Sequence, residues 1–517
     1  MSTASSIAGR STAVTGQRLV AAMASRPLAI ALAIVALLTA FRVTGTVDSD
    51  VAWQLWIAGR IHAGAHLYRD IIEVNPPLWF WMALPVDSIA SALHVRIEAV
   101  LTIAVGMAAA LALAATDRLL PNLTPRRRTF LLSYVALVLM GLPWVHIGQR
   151  EQIALIGTLP YAALIAVRRD DRPVPPLTAA LVGTGAALGF ALKHYFLIVP
   201  LALELWLIAG QGRAWRWRRP ETLAILAVGL AYASAILLLA REYVTNVVPL
   251  VRLSYGQLGA PSLRYLFGPF AIAGFAVFAT ALAHAGHMRK REASLAAALL
   301  VAAAAFGGVY FIQSKGWIYH AIPLLGCSTL ALAALLAETS APMRVLRLTA
   351  PALLALPLFL TAEEALHPAL PGPDVQASIS GLRPGDSVGF LAVETAVPWS
   401  VTLQRGFRYP SRYMGFWMLN SIVHNERVGA PNPRLSALGR QIVDETVTDF
   451  ACAPPRRIIV ARPRPGDPGF DILPFFLRDP GFAALLSHYR ATSRTSVETY
   501  EMASPLVPPA TGCRTGI

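Results

Sequence analysis

The sequence predicts a polytopic α-helical membrane protein of about eleven transmembrane helices that ends in a small α/β domain. Three observations carry this. The chain is 55% hydrophobic and 14% charged, with a mean hydropathy of +0.54, which is more apolar surface than a soluble core of 517 residues can bury. Apolar runs of near-spanning length recur from residue 28 to residue 362, separated by short clusters of arginine. No such run follows residue 371, where proline, glycine and charge become frequent.

Residues 1–27 are rich in Ser, Ala and Arg without an acid, and read as a disordered cytoplasmic tail, because a span begins near Leu28 with no cleavage context before it. The expected spans are 28–45, 97–116, 129–146, 152–168, 178–192, 195–210, 221–240, 265–285, 294–312, 319–337 and 346–362, which makes 28–362 the transmembrane domain. The stretch PPLWFWMALPVDSIASAL at 76–93 is aromatic and broken by Pro85 and Asp87, and is expected to lie in the interface or half-inserted.

With 76–93 at the surface, Arg118, Arg126, Arg127, Arg128, Arg168, Arg169, Arg172, Arg213, Arg216, Arg218, Arg219, Arg289, Lys290, Arg291, Arg344 and Arg347 all fall on the side of the N-terminus. That is the distribution of an inner (plasma) membrane protein with a cytoplasmic N-terminus. The other face then collects the loop 46–96, the turns at 148–151 and 193–195, the loop 241–264 and the turn 313–320. An odd number of spans sends the C-terminal region to that extracytoplasmic face as well.

The region 371–517 is expected to be a soluble domain with strands at 388–393 and 458–461 and helices at 435–449 and 481–489. Cys327 lies in an apolar span, which leaves Cys452 and Cys513 as a candidate disulfide in an oxidising compartment. Three cysteines are too few for a zinc site or a disulfide framework. A formal net charge of +15 raises nucleic acid as a partner, but the arginines are spread between spans as membrane anchors are. The Gly-Thr-Gly at 183–185 lies inside a span and suits helix packing.

The loop TVDSDVAWQLWIAGRIHAGAHLYRDIIEVNPP (46–77) holds Asp48, Asp50, Asp70, Glu73 and Asn75 next to a span, where carboxylates are costly unless they serve chemistry. Its order of acid (Asp48, Asp50), helix (53–63), Gly64, Tyr68 and Pro76-Pro77 resembles the first extracytoplasmic loop of the GT-C superfamily of polyprenyl-phosphate-sugar-dependent glycosyltransferases. That superfamily includes protein O-mannosyltransferases and lipid A aminoarabinose transferases. The resemblance implies a GT-C-like fold with Asp50 as general base and Asp48 as the second candidate, since Asp50 precedes Trp53 at the spacing the family shows. The family more often carries Asp-Glu there. Capping of a helix by one of these acids, with Trp53 and Trp56 in an aromatic belt, is the alternative for the same residues. Trp53, Tyr68, Glu73 and Asn75 would contact acceptor or sugar.

The other polar turns of that face match the superfamily in part. Glu151 beside Arg150 stands where members place a second acid, which would orient the acceptor or share a divalent cation with Asp50; Arg150 would meet the donor phosphate. Lys193 stands where members carry a Lys-Gly-Pro turn, here with His194 and Tyr195 in place of Gly-Pro. Ser314, Lys315 and Tyr319 resemble a Ser-x-Lys-x-x-x-Tyr segment, and Lys315, Tyr319 and His320 would neutralise and bond a lipid phosphate as it leaves. An interfacial salt bridge, a snorkelling lysine and an aromatic belt are the structural readings of the same residues. In the C-terminal region Arg405, Arg408, Tyr409, Arg412, Tyr413 and Trp417 suit either a structural seam or a sugar or anionic acceptor, with Arg412 as the candidate contact.

The expected function is therefore inverting transfer of a sugar from a polyprenyl-phosphate donor to a lipid, glycan or protein acceptor on the extracytoplasmic face. No cofactor is required by the resemblance, a divalent cation is admissible, and the partners are the lipid-linked sugar, the acceptor and membrane lipids, not nucleic acid. The rival is a transporter or flippase of lipid-linked saccharides. It would show inverted repeats and charges near the midplane, whereas these motifs gather at one surface.

Overall fold

A computed structural model describes residues 26–255, 266–286, 293–339, 344–366, 372–429, 432–463, 470–494, 497–509 and 513. The expected tail up to residue 25, Arg264, the cluster Arg289, Lys290 and Arg291, and the side chain of Arg344 lie outside the described residues.

Every expected span lies on a helix. In chain order these are α1 (Pro27–Arg42), α4 (Ile97–Leu119), α5 (Pro125–Met140), α6 (Arg150–Arg169), α7 (Pro176–Phe190), α8 (Ile198–Gln211), α9 (Pro220–Leu239), α11 (Pro269–Ala285), α12 (Ser294–Gln313), α13 (Ile318–Glu338) and α14 (Arg344–Leu366). Between them lie α2 (Ser49–His62), α3 (Leu78–Leu93) and α10 (Val248–Tyr255). Among the described residues, six helical segments are long and apolar enough to cross a bilayer, at Ile97–Leu119, His194–Ala214, Pro220–Leu239, Ser294–Gln313, Ile318–Glu338 and Val345–Leu366, which makes this a multi-pass membrane protein. Length and composition thus support six crossings and leave the other five expected spans without that support. The other five fall short because α1, α5, α7 and α11 are only 15–17 residues long and because α6 carries charged residues at both ends.

The chain divides into two compact units. The first comprises Met1–Gly45, Ala99–Tyr232 and Pro261–His367. At its centre are α13, whose apolar window is 94% buried, and α6, buried along nearly its whole length. Small residues let neighbours approach α6 closely. A Cβ added at Gly157 would come within 2.9 Å of the Gly185 carbonyl, and one at Gly189 within 3.1 Å of the Ala154 Cα, so α6 and α7 meet backbone to backbone. Gly183 meets the backbone of Glu221 in the same way, at 2.5 Å, and Glu221 takes both forks of the Arg168 guanidinium at 2.9 and 3.0 Å. The Gly-Thr-Gly run does serve packing.

The second unit comprises Thr46–Glu98, Ala233–Ala260 and Pro368–Ile517. Its sheet joins β1 (Val388–Leu391), β2 (Arg457–Ala461), β3 (Tyr489–Arg494) and β4 (Val497–Met502) in the order β1-β2-β4-β3. β1 and β2 run parallel, with Val388 beside Arg457, and therefore need the crossover that α15 (Leu419–Arg427) and α16 (Pro433–Cys452) supply. β4 is antiparallel to both neighbours. Ile442, Phe450, Phe416, Phe476 and Ile458 share the core these helices form on the sheet. The expected helix at 481–489 stops earlier, at Leu486, because Tyr489 opens β3. Cys452 and Cys513 are bonded, with Cα atoms 5.4 Å apart.

The glycine contacts give a paired test. Gly183→Ala drives a methyl group into the Glu221 backbone and should cost about 1–3 kcal/mol. At Gly185 a Cβ meets nothing within 4 Å, so Gly185→Ala should be neutral or stabilising by up to about 1 kcal/mol through helix propensity. Thermal midpoints of the two purified variants check the difference in sign.

Candidate active site

In the second unit α2 begins at an acid. Asp48 is extended and its Oδ1 accepts the Val51 amide at 2.9 Å, which makes it the N-cap. Asp50 stands one turn position inside the helix and is half-buried. The two acids offered by the sequence thus divide: one holds the helix start, the other sits on its first turn, where negative charge is favoured.

The residues expected to touch acceptor or sugar brace the loop instead. Trp53 is 1% exposed, stacks on Trp56 at 4.9 Å and packs against Trp399 at 4.7 Å. Its indole N–H donates to Glu73 Oε2 at 2.5 Å, while Glu73 Oε1 accepts the Asn75 amide and its side-chain Nδ2 at 2.7 and 2.6 Å. Tyr68, with φ of 71°, is buried and donates its hydroxyl to the Asn75 carbonyl at 2.6 Å. The loop is then sewn to the C-terminal region, since the Ile72 amide donates to the Arg412 carbonyl at 2.9 Å.

Arg412 itself is 3% exposed and forks onto Asp449 at 2.9 and 2.6 Å, with Glu445 at 3.1 Å. Burial opposes its charge, but the hydrogen bonds and charges of Asp449 and Glu445 win and hold the guanidinium above its ordinary pKa. Burial, together with the Glu445 charge, pushes the Tyr413 hydroxyl far above the usual tyrosine range. Trp53, Tyr68, Glu73 and Asn75 thus fasten the loop through their bonds to one another, and Arg412 fastens the C-terminal region through Asp449 and Glu445.

The first unit holds a cluster of charge built from four helix ends. Glu151 lies in the first turn of α6, Lys193 follows α7, Gln313 closes α12 and His320 opens α13. Lys193 Nζ donates to Glu151 Oε1 at 2.6 Å and to Gln313 Oε1 at 3.0 Å, and stands 3.3 Å from His320 Nε2. The chain reverses between α12 and α13 through Ser314 and Gly316, both left-handed (φ 50° and 69°), which turns His320 back toward Lys193. Arg150, Lys315 and His146 lie close enough for their charges to bear on His320. Partial burial holds the Lys315 ammonium below its usual pKa. Tyr319 lies edge-on to His320 at 4.7 Å and under Lys193 at 5.8 Å.

Several atoms of this cluster are buried without a hydrogen-bond partner: Arg150 Nε and Nη1, Glu151 Oε2, Gln313 Nε2 and His320 Nδ1. Buried polar atoms are nearly always satisfied, so a concentration of orphans at one point is the mark of a site shaped for a polar ligand. Most of them are donors, which suits an oxyanion. Gln313, His146 and Glu364, which lies 3.0 Å from His146, were not singled out from the sequence, although the His-Ile-Gly-Gln-Arg-Glu run at 146–151 interrupts two apolar helices. Among the described residues no group of three or more His, Cys, Asp or Glu side chains could hold a metal ion.

No protein-family model and no curated protein sequence matches the chain. Solved structures similar to it include the crystal structure of ArnT from Cupriavidus metallidurans bound to undecaprenyl phosphate, with a TM-score of 0.49 and 12% identity over 93% of this chain and 98% of that one. The cryo-EM structure of the arabinofuranosyltransferase AftD from mycobacteria has a TM-score of 0.49 and 15% identity over 93% of this chain and 40% of that one. The archaeal oligosaccharyltransferase AglB from Archaeoglobus fulgidus, in complex with an inhibitory peptide and a dolichol-phosphate, has a TM-score of 0.37 and 11% identity over 85% and 69%. These neighbours are GT-C glycosyltransferases, and the likeness is remote.

The buried pair makes a prediction about stability. Lys193→Met strands the Glu151 carboxylate and should cost about 3–5 kcal/mol, whereas Lys193→Met/Glu151→Gln removes both charges and should recover most of that loss. Thermal unfolding of the purified single and double variants reads the coupling; strictly additive losses would show that the two side chains do not depend on each other.

Proposed function

We propose that this protein is a membrane glycosyltransferase of the GT-C type that transfers a sugar from a polyprenyl-phosphate donor with inversion at the anomeric carbon. The observation that carries the reading is the cluster of Arg150, Lys193, Lys315 and His320, in which Arg150 Nε and Nη1 and His320 Nδ1 are buried without a hydrogen-bond partner. A phosphate attached to a lipid is the anion most naturally delivered to the ends of membrane helices. The resemblance of the loop 46–77 to the superfamily's first loop agrees with it.

In the scheme that the resemblance implies, the acceptor's hydroxyl or amine gives its proton to Asp50 as its heteroatom bonds to the anomeric carbon. The bond from that carbon to the phosphate oxygen breaks, and its electron pair leaves with the lipid phosphate. Arg150, Lys193 and Lys315 neutralise the charge that appears there, with Gln313 and His320 bonding the remaining oxygens. A single displacement gives inversion. Glu151 holds Lys193 in place. No step uses a metal ion. We place the cluster, the loop 46–96 and the C-terminal region on the extracytoplasmic face, on the strength of the arginine distribution.

Three measurements test this. Asp50→Asn should lower transfer about 100- to 10,000-fold while leaving binding of polyprenyl phosphate intact. Asp48→Asn should keep activity, because asparagine caps a helix as well as aspartate does; the reverse pattern would make Asp48 the base. Arg150→Ala or Lys315→Ala should weaken polyprenyl-phosphate binding about tenfold or more, as loss of a hydrogen bond to a charged group does. Undiminished transfer by the Asp50→Asn/Asp48→Asn double variant would favour a transporter or flippase. For topology, single cysteines near residue 193, at the exposed His194, and at residue 217 should be labelled at the first and protected at the second in intact cells.

A further inference from the structure

The connector between α8 and α9 reads GRAWRWRRP and has no part in the site above. The segment His194–Ala214 is 21 residues long, so at the helical rise this connector lies about 30 Å from Lys193, at the far end of the same bundle. It is pinned from inside by one carboxylate. Glu204 accepts the Trp215 indole N–H at 3.1 Å and Nη2 of Arg219 at 2.5 Å, and also takes the Tyr161 hydroxyl at 3.2 Å. Backbone turns tighten the arc, the Trp215 amide donating to Gly212 at 3.2 Å and the Arg219 amide to Trp217 at 2.9 Å.

Fixing Trp215 and Arg219 inward turns the residues around them outward. Arg213, Arg216 and Arg218 are exposed, and Trp217 is 48% exposed. Arg218 lies over the Trp217 ring at 5.0 Å, and Arg216 is steadied by donating Nη1 to the carbonyls of Arg213 and Trp215 at 2.8 and 3.0 Å. Among the described residues no carboxylate pairs with these three arginines, whereas Arg128, Arg168 and Arg219 at the same end are each paired with an acid. Helix α9 leads away from the connector with none of its apolar window buried, exposing Leu223, Leu226 and Leu230 as a helix surrounded by acyl chains would. The connector at its start therefore sits at headgroup level.

We propose that Arg213, Arg216, Trp217 and Arg218 form a headgroup clamp for an anionic glycerophospholipid. The guanidinium forks match phosphate oxygens, and three unpaired positive charges on one short arc exceed what a zwitterionic headgroup can balance. The indole lies at the boundary of headgroup and acyl chain, where tryptophan is favoured. Lipid reaches the clamp along the bare face of α9.

The full-length protein, reconstituted in an equimolar mixture of phosphatidylglycerol and phosphatidylcholine and then extracted in detergent, should retain phosphatidylglycerol in excess when the copurified lipid is measured by mass spectrometry. Arg213→Gln/Arg216→Gln/Arg218→Gln should lower that excess about tenfold. Glu204, Trp215 and Arg219 are untouched, so the thermal midpoint should stay at the wild-type value. Arg126→Gln/Arg127→Gln removes charge from the same end of the bundle and should leave the excess unchanged. Equal loss in this control, or no excess in the wild type, overturns the clamp in favour of diffuse attraction. Displacement of the lipid by millimolar inorganic phosphate overturns it in favour of a site for the free ion.

Discussion

The bond from Lys193 to Glu151 sets the conditions for the membrane unit. An ammonium and a carboxylate taken out of water each cost several kcal/mol, and they offset that cost only when held in contact. At 2.6 Å they are in contact, and to be so the start of α6 must lie against the turn after α7. Gly157 and Gly189 permit it, since any larger residue would part the two helices. The ends of α12 and α13 then fall beside the same ammonium through Gln313 and His320. A buried ion pair is a weak means of stabilising a fold. Its presence beside the unpartnered Arg150 Nε and Nη1 and His320 Nδ1 agrees with the proposed role of the cluster in holding a lipid phosphate.

The first loop shows the opposite relation between residue type and role. Trp53, Tyr68, Glu73 and Asn75 are residue types a sugar site would use, and here they are joined by hydrogen bonds and ring contacts within the unit. Aromatic and amide side chains serve a core and a carbohydrate through the same surfaces, so a sequence cannot tell which. Only the partners decide: Trp399 and Glu73 claim Trp53, and Asp449 claims Arg412. What these fasteners achieve is to hold α2, and with it Asp50, at a defined place within the unit that contains the C-terminal sheet.

Much of the architecture could be read from the chain. Hydropathy marks apolar helices because the period and length of the signal are local, and Cys452 and Cys513 were identifiable by elimination once Cys327 fell in a span. Lys193, Lys315, His320 and Glu151 stood out as charges interrupting apolar runs. Gln313, His146 and Glu364 carried no such contrast, being uncharged or in company that solvent alone would explain. β3 and β4 were missed because a polar edge hairpin has little hydrophobic pattern of its own. The union of residues 46–98 with 368–517 was invisible for another reason: it depends on contacts hundreds of residues apart, such as Ile72 with Arg412, which leave no local trace.

The charge balance of the cluster bears on the proposed chemistry. Arg150, Lys193 and Lys315 are set against two carboxylates, Glu151 on Lys193 and Glu364 on His146, which leaves a surplus of positive charge. A sugar phosphodiester carries one negative charge, and the phosphate monoester released from it can carry two. Under the proposed chemistry, a site with this surplus would bind the departing phosphate more strongly than the intact donor, and the difference would grow as the bond breaks. Interactions that strengthen toward the transition state accelerate a reaction, whereas those that hold substrate and transition state equally do not. Glu151 has a further consequence on this view. By cancelling one charge it keeps the cluster from holding the monoester too tightly to release it, so the same carboxylate that makes Lys193 tolerable in the membrane would also set how readily the spent lipid leaves.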